Sequence, residues 1–409
     1  MRVPLSKPDI GEREINYVTE VLRSGRLSLG PKLKEFEEKF AAFSGVRYAI
    51  ATSSGTAALH LCIRALGIGP QDEVITTPFS FVASTNCILY EGASPVFLDI
   101  DPLTLNLDPK QVRRFLRQCC GLDSRRGAIV DKGTGRTVRA ILPVHVFGLP
   151  CDMDPIMDLA QQYGLSVIED ACEALGAEYR GRRVGTFGDA AVFAFYPNKQ
   201  MTTGEGGMIV TDSEEIAQVC RSLRNQGRDE GSSWLRHDRL GFNYRLSDVH
   251  SALGLAQLER IEELLAARER AASLYARALE KNGAIQIPSE FDGFKRSWFV
   301  YVVQLNFAAP RATRERIIAR LRECGIDCQI YFPAIHKQSY LAGKVRMPLG
   351  PLFRAEAASD RCFAIPFFSG ITSKEIEYVA DRLSAILEEG STLAAHPNRP
   401  LDYAAGRPQ

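Results

Sequence analysis

The 409-residue sequence contains no apolar run approaching the ~18 residues needed to span a bilayer. Its first residues, Met1-Arg2-Val3-Pro4-Leu5-Ser6, lack the apolar core of a signal peptide. A soluble, cytoplasmic protein is expected. Net charge is equally scarce: 50 basic residues against 49 acidic leave +1, no field with which to hold nucleic acid or an anionic membrane. None of the ten cysteines forms a C-x-x-C pair, and most, like Cys62 and Cys87, sit in apolar helix-like stretches. They read as reduced core residues. His60, His145, His237, His250, His336 and His396 are scattered without the short ligand spacing of a zinc site, so no metal is expected. Function must then come from local sites.

The chain is longer than one ordinary core serves, and a large domain plus a smaller one is the default expectation. Short runs rich in Val, Ile and Phe alternate with helical patterns over residues 54–211: Glu73 to Thr76, Pro95 to Leu98, Ala140 to Val144, Ser166 to Glu169, Ala190 to Phe195 and Gly207 to Val210. That alternation predicts an α/β domain whose mostly parallel sheet is covered on both faces. Ligands of such sheets bind beyond the carboxyl ends of the strands. A helical pattern over 247–280, apolar at Leu253, Ala256, Leu258, Ile261 and Leu265, predicts one long linking helix between a large domain, 1–246, and a smaller α+β domain, 281–389. The tail 390–409 has no period and is expected to be disordered.

Four places could carry chemistry. Ser54-Gly55-Thr56-Ala57 opens a helix, and free N–H groups with the helix dipole favour a phosphate there, although an ordinary serine N-cap explains the same residues. Val167-Ile168-Glu169-Asp170 ends an apolar strand in acids, which could hold a protonated ring nitrogen or simply meet solvent. Lys199 follows an aromatic strand and precedes the glycine-rich turn Thr203-Gly204-Glu205-Gly206-Gly207. Most lysines are solvated, but one held partly out of water becomes a nucleophilic amine for a Schiff base. Phe79 or Phe81, just after the Glu73 to Thr76 run, could stack on a flat heterocycle or pack in the core.

Together with their spacing, these residues are similar to the sugar aminotransferases of the DegT and StrS type. The resemblance rests on Ser54-Gly55-Thr56-Ala57-Ala58-Leu59-His60, Pro143-Val144-His145 with Gly148, and Glu169-Asp170-Ala171. It continues through Phe195-Tyr196-Pro197-Asn198-Lys199, the turn 203–207, Leu223-Arg224-Asn225 with Gly227, and Gly241-Phe242-Asn243-Tyr244-Arg245-Leu246 with Asp248. It spans about Pro8 to Leu387.

The resemblance implies the aspartate-aminotransferase fold, pyridoxal-phosphate fold type I: a large, mostly parallel seven-stranded-type sheet domain with a smaller α+β C-terminal domain, the segment 1–30 packing partly on the latter. It implies that Lys199 carries pyridoxal 5'-phosphate, that Asp170 pairs with the pyridine nitrogen, that Phe81 stacks on the ring, and that Gly55, Thr56 and Ala57 meet the phosphate. Asn243 would reach the phosphate of a neighbouring subunit, making the unit at least a homodimer, with Arg245 at the same interface. Two positions depart from the common pattern: Ala194 replaces a serine phosphate ligand, and Glu173 stands where a glutamine or histidine contacts the ring hydroxyl. A carboxylate there would repel a phenolate unless protonated or turned away.

The implied reaction is ping-pong transfer of an amino group from L-glutamate, or glutamine, to a keto-sugar nucleotide. Tyr331 and His336, with Arg228 and the loop Leu29-Gly30-Pro31, are substrate-side candidates beside Arg245. A cyclitol ketone is an alternative acceptor. A dehydratase of the same scaffold would carry histidine where Lys199 stands, which argues against that branch. A non-catalytic sensor of cofactor and sugar nucleotide is a reading from another class, against which the intact Lys199 and Asp170 count.

Overall fold

The computed structural model describes residues 1–394 apart from Glu230, Ser232, Trp234 and 307–310, without side chains beyond Glu389. Its large sheet has nine strands, seven of them in one row: β1 (Tyr48–Thr52), β2 (Asp72–Thr76), β3 (Ser94–Phe97), β4 (Thr137–Leu142), β5 (Ser166–Asp170), β6 (Ala190–Ala194) and β7 (Gly207–Thr211); the other two, Cys120–Asp123 and Ala128–Asp131, form a hairpin that pairs with the start of β4. The seven lie in the order β1-β7-β6-β5-β4-β2-β3. The steps from β3 across to β6 are parallel, whereas β7 is antiparallel to both of its neighbours. Almost every residue of these strands is buried because both faces are covered, which is why each reads as a near-continuous apolar run. Ile50, Val74, Ile168 and Val192 face one core with helices α3 (Gly55–Ala65) and α4 (Ala83–Tyr90). Alternate residues such as Ala191, Phe193 and Val210 face another, shared with α2 (Pro31–Ser44).

The smaller sheet is antiparallel, with β9 (Tyr301–Leu305) between β8 (Ile285–Gln286) and β10 (Cys362–Ile365). Val3 pairs with Ile326 and the Phe367 N–H donates to Leu5 O, which seats the start of the chain on this half of the molecule.

Two expectations need correction. The single linking helix is two, Asp248–Leu258 and Ile261–Leu279. Arg260 leaves helical geometry (φ −109°, ψ 11°) and turns its guanidinium to Asp9, Glu14 and Glu263, so ion pairing with the N-terminal segment breaks a pattern whose apolar period is unchanged. At the other end the last helix, Ser373–Ala394, runs past Gly390, where a structureless tail was expected to begin. Residues 395–409 lie outside the described residues.

Candidate active site

The parallel strands end on one side of the sheet, and the chemistry-bearing residues gather there. Glu169 and Asp170, the last residues of β5, point to opposite faces. Glu169 is consumed by structure: its carboxylate accepts from Gly185 N (2.8 Å), Phe187 N (2.7 Å) and Gly188 N (2.9 Å), and lies 3.1 Å from His145 Nε2. Burial pushes its pKa up, but these donors more than offset that and hold it below the usual range. Asp170 is 6% exposed and accepts the Cys172 N–H at 3.1 Å, and no cation forms a salt bridge with it among the described residues. Burial, with nothing beyond the Cys172 hydrogen bonds and more distant charges against it, raises its pKa.

Lys199 sits on the connection that turns the chain back from β6 into antiparallel β7. Its N–H donates to Tyr196 O, and its Nζ lies 3.8 Å from the Phe299 ring centroid and 3.8 Å from Glu173 Oε1. The Lys199 side chain is 13% exposed and that of Glu173 6%. Glu173 Oε2 accepts the Phe147 N–H at 2.8 Å. Burial pushes the Glu173 carboxyl up to about 7, while Lys199 pulls it down and Asp170 pushes it further up.

At the β1 to α3 turn, Ser54 Oγ accepts the Ala57 N–H (3.1 Å) and Ser54 O the Ala58 N–H (3.0 Å), which leaves the N–H groups of Gly55 and Thr56 at the open helix end. The site depends on close backbone approach here. A Cβ on Gly207 would lie 2.5 Å from the Ser54 carbonyl, and one on Gly55 only 2.8 Å from Ala194 Cβ. Ala194 therefore packs on the helix start and offers it no hydroxyl. Phe81, beside α4, is 62% exposed, a bare aromatic ring.

Of the substrate-side candidates, Tyr331 joins the cluster: its hydroxyl accepts from Asn198 Nδ2 at 3.3 Å, and its ring is 6.1 Å from that of Phe299. His336 instead meets Glu356 Oε1 at 3.0 Å, although the neighbouring Ile335 N–H docks on Pro78 O at 2.8 Å. Arg245 donates to Asn225 Oδ1 at 3.0 Å. Asn243 is exposed, and the next residue touches this chain's own helix start, Ser53 N–H donating to Tyr244 O at 2.8 Å.

The family model described as DegT/DnrJ/EryC1/StrS aminotransferase matches residues 8–384. The chain belongs to this aminotransferase family. It is 38% identical over 388 residues to the GDP-perosamine synthase of Caulobacter vibrioides, covering 94% of this chain and 98% of that protein. To the spore coat polysaccharide biosynthesis protein SpsC of Bacillus subtilis it is 36% identical over 396 residues, covering 94% and 97%. Among solved structures, DesV of S. venezuelae in complex with a ketimine intermediate superposes with a TM-score of 0.83 at 31% identity, over 95% of this chain and 99% of that one. The architecture is that of fold type I, as expected.

The residues of this aminotransferase fit pyridoxal phosphate. A buried carboxylate without a salt-bridge partner suits a protonated ring nitrogen, two N–H groups at a helix start suit a phosphate, and a bare phenyl ring suits a flat heterocycle. Sequence reasoning missed Phe299, whose ring covers the amine, and Gln200, whose Nε2 donates to Glu173 O (2.6 Å) and Ser297 Oγ (3.0 Å). Gln200 adjoins the lysine and could have been singled out. Phe299 comes from the other half of the molecule, and no local pattern announces it.

Proposed function

We propose that this aminotransferase moves an amino group from L-glutamate, or glutamine, to a keto-sugar nucleotide, with pyridoxal 5'-phosphate carried on Lys199. The observation that carries the reading is the Lys199 amine, largely removed from water, beside a strand end whose buried carboxylate, Asp170, forms no salt bridge among the described residues. The similarity to GDP-perosamine synthase and SpsC supports a sugar-nucleotide acceptor used in polysaccharide or amino-sugar synthesis.

Bound at this place, the cofactor supplies the electron sink that amino-group chemistry requires. Asp170 accepts a hydrogen bond from the ring N–H and keeps that proton in place. Lys199 Nζ would take a proton from the substrate carbon and hand it to the cofactor carbon on the far side of the amino nitrogen, ending the transfer as it began. Gly55 and Thr56 would bind the phosphate through their N–H groups at the helix start, beside Ala57, whose own N–H is held by Ser54 Oγ, and Phe81 would cover the ring. Burial pushes the Glu173 carboxyl up to about 7 against the pull of Lys199 and the Phe147 N–H, so it would meet the ring hydroxyl without a full negative charge below about pH 7.

Tyr331 borders the acceptor side, with His336 and Arg245 further out. Exposed Asn243 supports a site completed by a second copy, and hence a homodimer with shared sites. Among the described residues no helix is long and apolar enough to cross a membrane; the place of work proposed for the enzyme is the cytoplasm. Adding L-glutamate to the purified protein should release 2-oxoglutarate and bleach the visible cofactor band. A panel of keto-sugar nucleotides should then include one that takes up the amino group and restores it. Failure of glutamate and glutamine alike to bleach the band would overturn the transaminase reading.

A further inference from the structure

Arg268 is 2% exposed, in the helix Ile261–Leu279, and its guanidinium forms no ion pair among the described residues. Its partners are backbone carbonyls on two separate segments. Nη1 donates to Trp298 O (3.4 Å) and Phe299 O (3.1 Å), and Nη2 to Asn198 O (3.5 Å) and Lys199 O (2.7 Å). Nε is buried with no partner, and the Phe367 ring lies 5.7 Å from the guanidinium carbon. Burial lowers its pKa only to about 10, which leaves it charged at neutral pH. A desolvated cation without a counter-ion is costly to keep, and a hydrophobic side chain would fill a purely structural position more cheaply.

The two carbonyl pairs belong to the segments that set the Lys199 amine. Asn198 and Lys199 carry it, and Phe299 lays its ring 3.8 Å from Nζ. A planar fork can hold both pairs at once in fixed relation, as an ammonium cannot. We infer that Arg268 is a positioning residue that clamps the Lys199 loop to Phe299 across the two halves of the molecule, fixing the amine against the ring face in the geometry that receives the cofactor. This rests on the reading of Lys199 as the cofactor-bearing lysine.

The test compares Arg268→Lys, Arg268→Met and Phe299→Leu with the wild type by cofactor titration, by the pH midpoint of the visible band, and by thermal unfolding. Each variant should unfold in one cooperative transition, bind pyridoxal phosphate roughly tenfold or more weakly, and show a displaced pH midpoint. Because Arg268 acts through Phe299, the effect of Arg268→Lys should shrink in the Phe299→Leu background. Wild-type affinity and midpoint in the Arg268 variants, with only a lower melting temperature, would make the residue structural and overturn the inference. Should the Arg268 variants fail to fold, Phe299→Leu alone decides: unchanged affinity and midpoint there overturn it equally. A wild-type protein that develops no visible band on titration refutes the cofactor reading itself, and so is told apart from failure of the clamp.

Discussion

Glu173 Oε1 and Lys199 Nζ face each other at 3.8 Å, and the second Glu173 oxygen is already held by the Phe147 N–H. Burial nevertheless pushes this carboxyl up from an ordinary 4.5 to about 7, against the pull of both contacts. A folded-state pKa above the unfolded one means that its contribution to stability is complete below about pH 4.5 and is lost as pH rises through about 7. The difference is worth up to about 3 kcal/mol. Glu73, fully buried with Oε2 unpartnered, is likewise pushed up to about 7 by burial and moves stability in the same direction. Urea unfolding of the cofactor-free protein should show a loss of stability between pH 5 and 8 that is smaller in Glu173→Gln and smallest in the double variant with Glu73→Gln. An identical pH dependence in all three would contradict the assignment.

Asp170→Asn should leave the fold intact, because the wild-type carboxylate has no ion pair to lose among the described residues. The ring N–H would then face a neutral amide, and a hydrogen bond to a charged group is worth up to ~3 kcal/mol, or roughly 10²-fold in rate. Single-turnover measurement of the glutamate half-reaction checks this. Turnover within a few-fold of wild type would reduce Asp170 to an ordinary buried acid.

Lys199→Ala and Asn243→Asp should each be inactive, the second because it sets a negative charge beside the phosphate. If Asn243 serves the partner's site, a mixed dimer concentrates both faults in one site and leaves the other intact. Activity should then return on subunit exchange, up to roughly half of the mixed dimers' sites. The contact between Ser53 and Tyr244 brings the segment near its own chain's helix start too, so the mixture discriminates between two real alternatives. Continued inactivity after demonstrated exchange would assign Asn243 to its own site.

Arg346 Nη2 donates to Asp131 Oδ1 at 2.8 Å, Nε bonds the other oxygen, and Asp131 is fully buried. The segment pairs along β3, with Phe97 N–H donating to Arg346 O at 2.8 Å and Arg346 N–H to Pro95 O at 3.0 Å. Arg346→Met strands a buried carboxylate and should cost about 3 kcal/mol. The pair neighbours Glu73, near the start of β2 and away from the strand ends that carry the site, so the visible band and kcat should not change. A melting temperature equal to wild type would contradict this.

Sequence patterns revealed the large sheet because its strands, buried on both faces, are apolar throughout. They did not reveal that β7 runs against its neighbours, since a strand reads the same in either direction. The break at Arg260 escaped because the apolar period continues on both sides of it, and the break is made by ion pairs to Asp9 and Glu14, far away in sequence. Asp170, Lys199 and the Gly55 turn were legible for a different reason: Asp170 ends a strand, Gly55 begins a helix, and Lys199 lies on the glycine-rich connection between two strands, so local pattern and candidate site coincide. Arg268 and Phe299 meet the lysine only through tertiary packing. In the sequence, Arg268 is indistinguishable from a solvated charge on a helix, and Phe299 from a core aromatic.

Whether Lys199 bears the cofactor is decided by borohydride reduction of the purified protein followed by peptide mass mapping. Reduction should fix the cofactor to the peptide containing Lys199 and to no other, and Lys199→Ala should take up no label while unfolding cooperatively. A label on another lysine, or an unchanged visible band in Lys199→Ala, would take that role away from Lys199.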